Sequence, residues 1–326
     1  MLMSVILFAV GLVLLIKGGD WFVDGATGIA KRFNLPDIVV GATVVSIGTT
    51  LPEVMVSTTG ALQGSGAMAY GNAIGSIICN TALIAAISIT CNPGPVNVKS
   101  MKTPAIFFFC SAAIYCLAAY GLGTFPRWLG FVMLTIFVIY MVMTVRNGLK
   151  NPDAVGEEEN EDSDGKEKGL GQLLVLLVVG AAVIAVGANL LVEHGQIIAL
   201  GLGVPETVVA LLFVALGTSL PELVTTITSL KKGRASLGVG NVIGANVFNL
   251  VLVSGVAVSL APFDVPVENT LLNTGLNLSL VFDIPVMLGV MSLMIFPALA
   301  TKKLHRWQGI LLLCIYAAFC VCQFIL

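Results

Sequence analysis

Two stretches of this chain carry the same message, and both lie inside apolar segments of membrane length. Residues 41–80 read GATVVSIGTTLPEVMVSTTGALQGSGAMAYGNAIGSIICN, and residues 210–249 read ALLFVALGTSLPELVTTITSLKKGRASLGVGNVIGANVFN. They align without a gap at an offset of 169 residues, with 13 of the 40 positions identical. Each copy holds one glutamate, Glu53 or Glu222, next to a proline. An ionisable side chain in a bilayer core is costly, so two at matched positions mark a functional site and point to the handling of small cations.

Composition places the chain in the membrane. It is 57% hydrophobic and 10% charged, where a soluble domain carries about 25% charged residues. The apolar runs are about 20 residues long and do not alternate, which selects helices over a β-barrel. A net charge of -2 with no basic cluster gives nucleic acid no footing. The 7 cysteines form no CxxC pair and read as small apolar packing residues. The start, MLMSVILFAVGLVLLI, lacks a basic leader and reads as a retained helix.

Ten spans are expected, at roughly 2–27, 37–62, 68–90, 104–121, 126–146, 170–194, 205–230, 236–260, 282–300 and 305–325. The fold class is an all-α membrane protein with ten transmembrane helices in two inverted five-helix repeats, 1–146 and 170–326. An acidic linker, 147–169, separates them and has the composition of a solvated chain. Five spans per copy is an odd number, so the second copy sits upside down. Inverted repeats with interrupted helices are the pattern of secondary transporters. Of the 16 Lys and Arg, 14 fall in loops of one parity; Arg127 lies opposite and Lys17 within the first span. The positive-inside rule makes that side cytoplasmic and sends both termini out. The expected location is therefore the cytoplasmic (inner) membrane, multi-pass, in contact with lipid. The semi-polar segment 262–281 is read as a cap on the outer mouth.

In GTTLPE, Thr49 and Thr50 stand four and three residues before Glu53, on one helical face. Pro52 has no N–H, so the Gly48 carbonyl loses its helical partner. The ring is expected to open that turn and free carbonyls such as that of Ser46, with Gly48 easing the distortion. Gly217, Thr218, Ser219, Pro221, Glu222 and Ala215 repeat the arrangement. A kinked helix whose Glu pairs with a base is the plainer reading. It fails for want of a base, because Lys17 is placed close to a span end. The hydroxyls can also bond back to their own backbone.

The second part of each repeat places Ser76 and Asn80 on one face, with Ala245 and Asn249 as counterparts. Gly71, Gly75, Gly240 and Gly244 read as helix-packing residues. Asn72 and Asn241 read as caps first and ligands second. Asp24 with Glu193, and Asp37 with Glu206, also match at the same offset and read as helix-end caps or an acidic vestibule. Two carboxylates, two amide oxygens, several hydroxyls and freed carbonyls suit a hard cation that takes six to eight oxygens. With no His, Cys or Met in the set, soft metals are disfavoured.

At these residues the chain resembles the two α-repeats of the sodium/calcium exchangers, in the prokaryotic ten-helix branch of the calcium/cation antiporter superfamily. The resemblance covers essentially the whole chain. It implies four cation sites between the second, third, seventh and eighth helices, with Glu53 and Glu222 as shared ligands. Thr49, Thr50, Ser76 and Asn80 would complete one half, Thr218, Ser219 and Asn249 the other. The carbonyls of Ser46 and Ala215 would serve sodium. It also implies that helices one and six slide as a pair. Three positions depart: Ala245 replaces a frequent serine, Ile77 a usual Asn, and Asn249 the Asp of potassium-dependent relatives. The expected function is sodium/calcium antiport by alternating access, not an enzyme and with no cofactor. Its partners are the transported Na+ and Ca2+ and membrane lipid, with no nucleic acid, and the chain is expected to work as a monomer. The rivals are cation/proton exchange, a channel, and an intramembrane hydrolase for which no HExxH or Ser–Lys dyad exists.

Overall fold

The computed structural model describes residues 2–150, 169–201, 217–266 and 277–325. Its helices are α1 (Leu2–Arg32), α2 (Asp37–Leu62), α3 (Gly66–Cys91), α4 (Val98–Leu122) and α5 (Arg127–Lys150). They continue with α6 (Leu170–Gly201), α7 (Leu220–Lys231), α8 (Ala235–Leu260), α9 (Ser279–Thr301) and α10 (Arg306–Ile325). Among the described residues 9 of these are long and apolar enough to cross a membrane; α7 is the described part of the expected seventh span. Residues 151–168 of the acidic linker, the start of the seventh span with Ala215 and Glu206, and residues 267–276 of the segment 262–281 lie outside the described residues.

Four two-residue strands show how the halves are related. Gly94–Pro95, between α3 and α4, pairs antiparallel with Lys303–Leu304, between α9 and α10. Thr124–Phe125, between α4 and α5, pairs with Phe263–Asp264, after α8. Two halves running in the same sense would bring the α3–α4 connection beside the α8–α9 one. Here it meets the α9–α10 connection, so the second half is inverted. Ion pairs agree: Lys232, after α7, holds Asp24 on α1 at 2.8 Å, and Arg234 holds Asp37 at 3.0 Å. Asp24 and Asp37 are thus salt-bridge partners, which replaces the reading of them as caps.

The helices α1 and α6 form an antiparallel pair. Gly11, Gly18 and Gly25 recur every seventh residue on α1. A methyl on Gly11 would come within 2.9 Å of the Gly187 carbonyl, and one on Gly25 within 2.8 Å of the Leu173 carbonyl. Small residues at the seam let membrane helices approach this closely, since lipid offers no hydrophobic drive for their association. The helix α1 runs on to Arg32, past the apolar run, so Lys17 stands at its midpoint and not near its end. Lys17 is exposed on the bundle surface and makes no ion pair among the described residues.

Candidate cation site

The four central helices α2, α3, α7 and α8 carry the repeated motifs and bury them. Ser46, Thr49, Thr50, Glu53, Ser76, Asn80, Ser219, Glu222 and Asn249 are all buried, and Thr218 is half-buried. Ala215 lies outside the described residues.

The two acids approach each other across the repeat boundary. The hydroxyl of Thr50, one turn before Glu53, lies 3.4 Å from Glu222 Oε1 and donates to it. Asn72 Nδ2 donates to the Glu53 carbonyl at 3.3 Å and to Ser57 Oγ at 2.8 Å. Thr218 donates to Asn72 Oδ1 at 3.4 Å. In mirror fashion Thr49 donates to Asn241 Oδ1 at 3.1 Å. Ser46 Oγ lies 2.9 Å from the Asn241 carbonyl and 2.8 Å from that of Gly41. Hydrogen bonds therefore cross between the halves at Glu222, at Asn72 and at Asn241.

Around it lie oxygens with nothing to bond. Both carboxylate oxygens of Glu53, Oε2 of Glu222, Ser219 Oγ and the amides of Asn80 and Asn249 are buried without a hydrogen-bond partner among the described residues. Leaving a buried polar group unpaired costs about 1–3 kcal/mol, and more when it is charged. A concentration of such acceptors around two acids fits a group of hard cations, whose oxygen ligands these are. The turn at Asn80 packs against α7, and the turn at Asn249 packs against α2. Among the described residues no three His, Cys, Asp or Glu gather as a transition-metal site.

The local backbone explains part of this. A π-helical turn begins at Asn80 (Asn80–Ala85) and another at the matching Asn249 (Asn249–Val253). Such turns widen a helix and cluster at functional sites. Nothing in the sequence announced them beyond the repeat itself. A third, Gly41–Val45, precedes the Glu53 motif. The expected opening at Pro52 does not occur: the helix is continuous over Ser46–Leu62, with Pro52 inside it. The irregularity sits upstream instead, in that π turn. In the second repeat the break is present. Thr218 and Ser219 form a turn, and α7 starts with Pro221 in its first positions and Glu222 in its first turn. A carboxylate there meets the positive end of the helix.

Other expectations need correction. Asn72 and Asn241 are not caps, because their helices begin earlier, at Gly66 and Ala235, and both side chains bond across the site. Gly48 does not serve distortion: a methyl there would come within 2.8 Å of the Phe22 ring on α1. Its counterpart Gly217 is crossed by Val192 of α6 at 3.0 Å. The α1–α6 pair thus lies directly over both acidic motifs. A small cavity at this crossing is lined by Phe22, Pro52, Ala181, Ile184 and Pro221. Gly240 and Gly244 pack closely, on Ile38 and on Ser46 with Ala42. A methyl on Gly71 or Gly75 would meet nothing within 4 Å among the described residues, so no close approach demands a glycine there. Cys79, which the sequence left among apolar packing residues, is buried against Tyr316 at 3.7 Å and beside Ser219.

The profile of the family described as sodium/calcium exchanger protein matches residues 3–146 and 172–325. An uncharacterized membrane protein, MJ0091, of Methanocaldococcus jannaschii is 34% identical over 95% of this chain and 94% of its own. Sodium/calcium exchanger MaX1 of Methanosarcina acetivorans is 29% identical over 98% of each chain. Inner membrane protein YrbG of Escherichia coli is 30% identical over 81% of this chain and 82% of its own. Among solved structures, the sodium-calcium exchanger NCX_Mj soaked with Na+ and Sr2+ superposes with a TM-score of 0.78. It is 32% identical to this chain, and 97% of each chain is covered.

Proposed function

The chain belongs to the sodium/calcium exchanger family, and from that premise we propose that it exchanges sodium for calcium by alternating access. It is a multi-pass membrane transporter of cations and not an enzyme. The observation that carries the finer reading is the meeting of Glu222 with the Glu53 helix through Thr50. Buried acceptor oxygens from both inverted halves surround that contact.

One nest of oxygens can neutralise its acids with a single divalent ion or with several monovalent ions, and not with both at once. That exclusion makes the two fluxes opposite and obligatory. An unneutralised pair of buried carboxylates is expensive in a low-dielectric interior. A cage without ions therefore resists occlusion, and leak is suppressed. Glu53, Glu222, Thr49, Thr50, Ser76, Asn80, Thr218, Ser219 and Asn249 are assigned as ligands in this scheme. Movement of the α1–α6 pair over Gly48 and Gly217 opens the nest to either side. If more than two sodium ions cross per calcium, each extra charge is worth about 2.3 kcal/mol per 100 mV. The strand pairing supports the orientation drawn from charge, because it gathers Lys99, Lys102, Lys302, Lys303 and Arg306 near one end. That end is assigned to the cytoplasm of a cytoplasmic membrane, with both termini outside.

The test is flux in proteoliposomes with sodium, potassium and proton gradients imposed one at a time. Uptake of ⁴⁵Ca driven by an outward sodium gradient alone is expected. Uptake that follows a pH gradient and ignores sodium would replace this reading with cation/proton exchange.

A further inference from the structure

We infer that Asn72 and Asn241 are positioning residues: each fixes a threonine of the opposite repeat so that its hydroxyl turns lone pairs, not its proton, toward the cations. The inference rests on the exchanger reading of the site and adds what sets the polarity of its neutral ligands.

A hydroxyl has one proton and two lone pairs. It coordinates a cation only through a lone pair, so its proton must be directed elsewhere. Beside a carboxylate the default acceptor is the carboxylate itself, which would weaken both as ligands. The structure offers another acceptor at each threonine. Thr49 lies 3.1 Å from Asn241 Oδ1, and Thr218 lies 3.4 Å from Asn72 Oδ1. Thr49 and Thr218 match at the repeat offset, and so do Asn72 and Asn241. The two contacts are therefore the same contact seen twice through the inversion, each made between halves.

The direction of the Asn72 amide follows from chemistry. Its nitrogen faces the Glu53 backbone carbonyl at 3.3 Å, and a carbonyl can only accept. The nitrogen also reaches Ser57 Oγ at 2.8 Å. The other end of the amide is then the oxygen, and the Thr218 proton must go to it. Asn241 is fully buried, and its oxygen is also 3.3 Å from Ser46 Oγ. Turning that amide over would set an N–H against Thr49 and take up the lone pairs a cation needs. Neither asparagine was assigned as a ligand above, and neither needs to touch an ion for this role.

The test is a set of double-variant cycles read by calcium and sodium binding to the purified full chain, using isothermal titration calorimetry. Asn241→Leu and Asn72→Leu keep side-chain bulk and remove the acceptor. Each is expected to weaken calcium binding about three- to tenfold, the worth of one buried neutral hydrogen bond. Asn241→Leu with Thr49→Val is expected to lose little more than the weaker single variant. Asn241→Leu with Thr218→Val is expected to lose the product of the two single effects. Asn72→Leu should show the converse, coupling to Thr218→Val and not to Thr49→Val. Where leucine prevents recovery of folded protein, alanine serves in the same cycle. Equal coupling to both threonines, or none to either, would mean that the asparagines only hold the helices together and would overturn the inference. A wild-type chain that binds neither cation would overturn the exchanger reading itself, and this inference with it.

Discussion

In the first repeat the helix carrying Glu53 runs unbroken from Ser46 to Leu62, with its proline inside. In the second, Thr218 and Ser219 form a turn and the helix starts anew beneath Glu222. The two motifs are almost the same, GTTLPE against GTSLPE. The acids are also held differently. Glu222 receives a hydroxyl from Thr50 of the other half, whereas both oxygens of Glu53 have no partner among the described residues. Further along, Asn72 bonds Ser57, while the matching Asn241 Nδ2 and Thr226 Oγ1 are both unpaired there. A duplicated sequence thus supplies one set of oxygens in two mechanical states. On the proposed exchange reading, such asymmetry would let the nest open to one side at a time.

The largest effect should ignore the asymmetry. Glu53→Gln and Glu222→Gln remove a charge from the same nest, so each is expected to cut sodium-driven calcium uptake at least about 30-fold, in line with the ~2–5 kcal/mol of a lost buried charged partner. Survival of uptake in either variant would mean that the two halves do not share one site. The next effect should reveal the asymmetry. Thr50→Val removes a hydroxyl assigned as a ligand, the one that reaches Glu222 across the halves, and an oxygen contact to a charged partner is worth about 1.5–3 kcal/mol. Calcium affinity should fall roughly tenfold or more by that principle. Ser219→Ala, whose oxygen bonds nothing among the described residues, should cost less. Equal losses would show that the two repeats are interchangeable.

The crossing of α1 over the first motif is closer than that of α6 over the second. Gly48→Ala forces a methyl against the Phe22 ring, while Gly217→Ala meets the tip of Val192. Overpacking of this kind costs about 1–3 kcal/mol. Transport by the Gly48 variant should be impaired more than by the Gly217 variant, with calcium binding largely kept; the two measurements together separate movement from ligation. The smallest effect belongs to the ends. Lys232 bonds Asp20 and Asp24, but the matching position in the first repeat is Gln63, which cannot form an ion pair. The partners are partly exposed, so Lys232→Gln should lower thermal stability by less than about 1 kcal/mol, and high salt should erase the difference.

Much of this architecture was legible in the sequence because its causes are local or repeated. Apolar length gave the spans to within a few residues, apart from α1, which continues past its apolar run to Arg32, α4, which starts at Val98, and α6, which continues from the expected 194 to Gly201. The odd number of spans per copy implied the inversion that the strand pairings display. Glu53 and Glu222 stood out because an acid in an apolar span needs a reason. What stayed hidden depends on partners distant in sequence. Pro52 and Pro221 read alike, and only the packing around each decides which one breaks its helix. Asn72 and Asn241 looked like caps because they lie in the first turns of spans expected at 68–90 and 236–260, while the partners that explain them are distant in sequence. The π turns at Asn80 and Asn249 have no residue signature, since they record how a helix yields to its neighbours. Gly48 was read through its backbone freedom, when the reason for it is the Phe22 ring of another helix.

The most direct test of the shared nest is a calcium titration of the purified chain, repeated at rising sodium. One calcium per chain, displaced competitively by sodium and lost in both Glu53→Gln and Glu222→Gln, is the expected result. A calcium site of undiminished affinity in either variant, or two calcium ions bound independently, would contradict it.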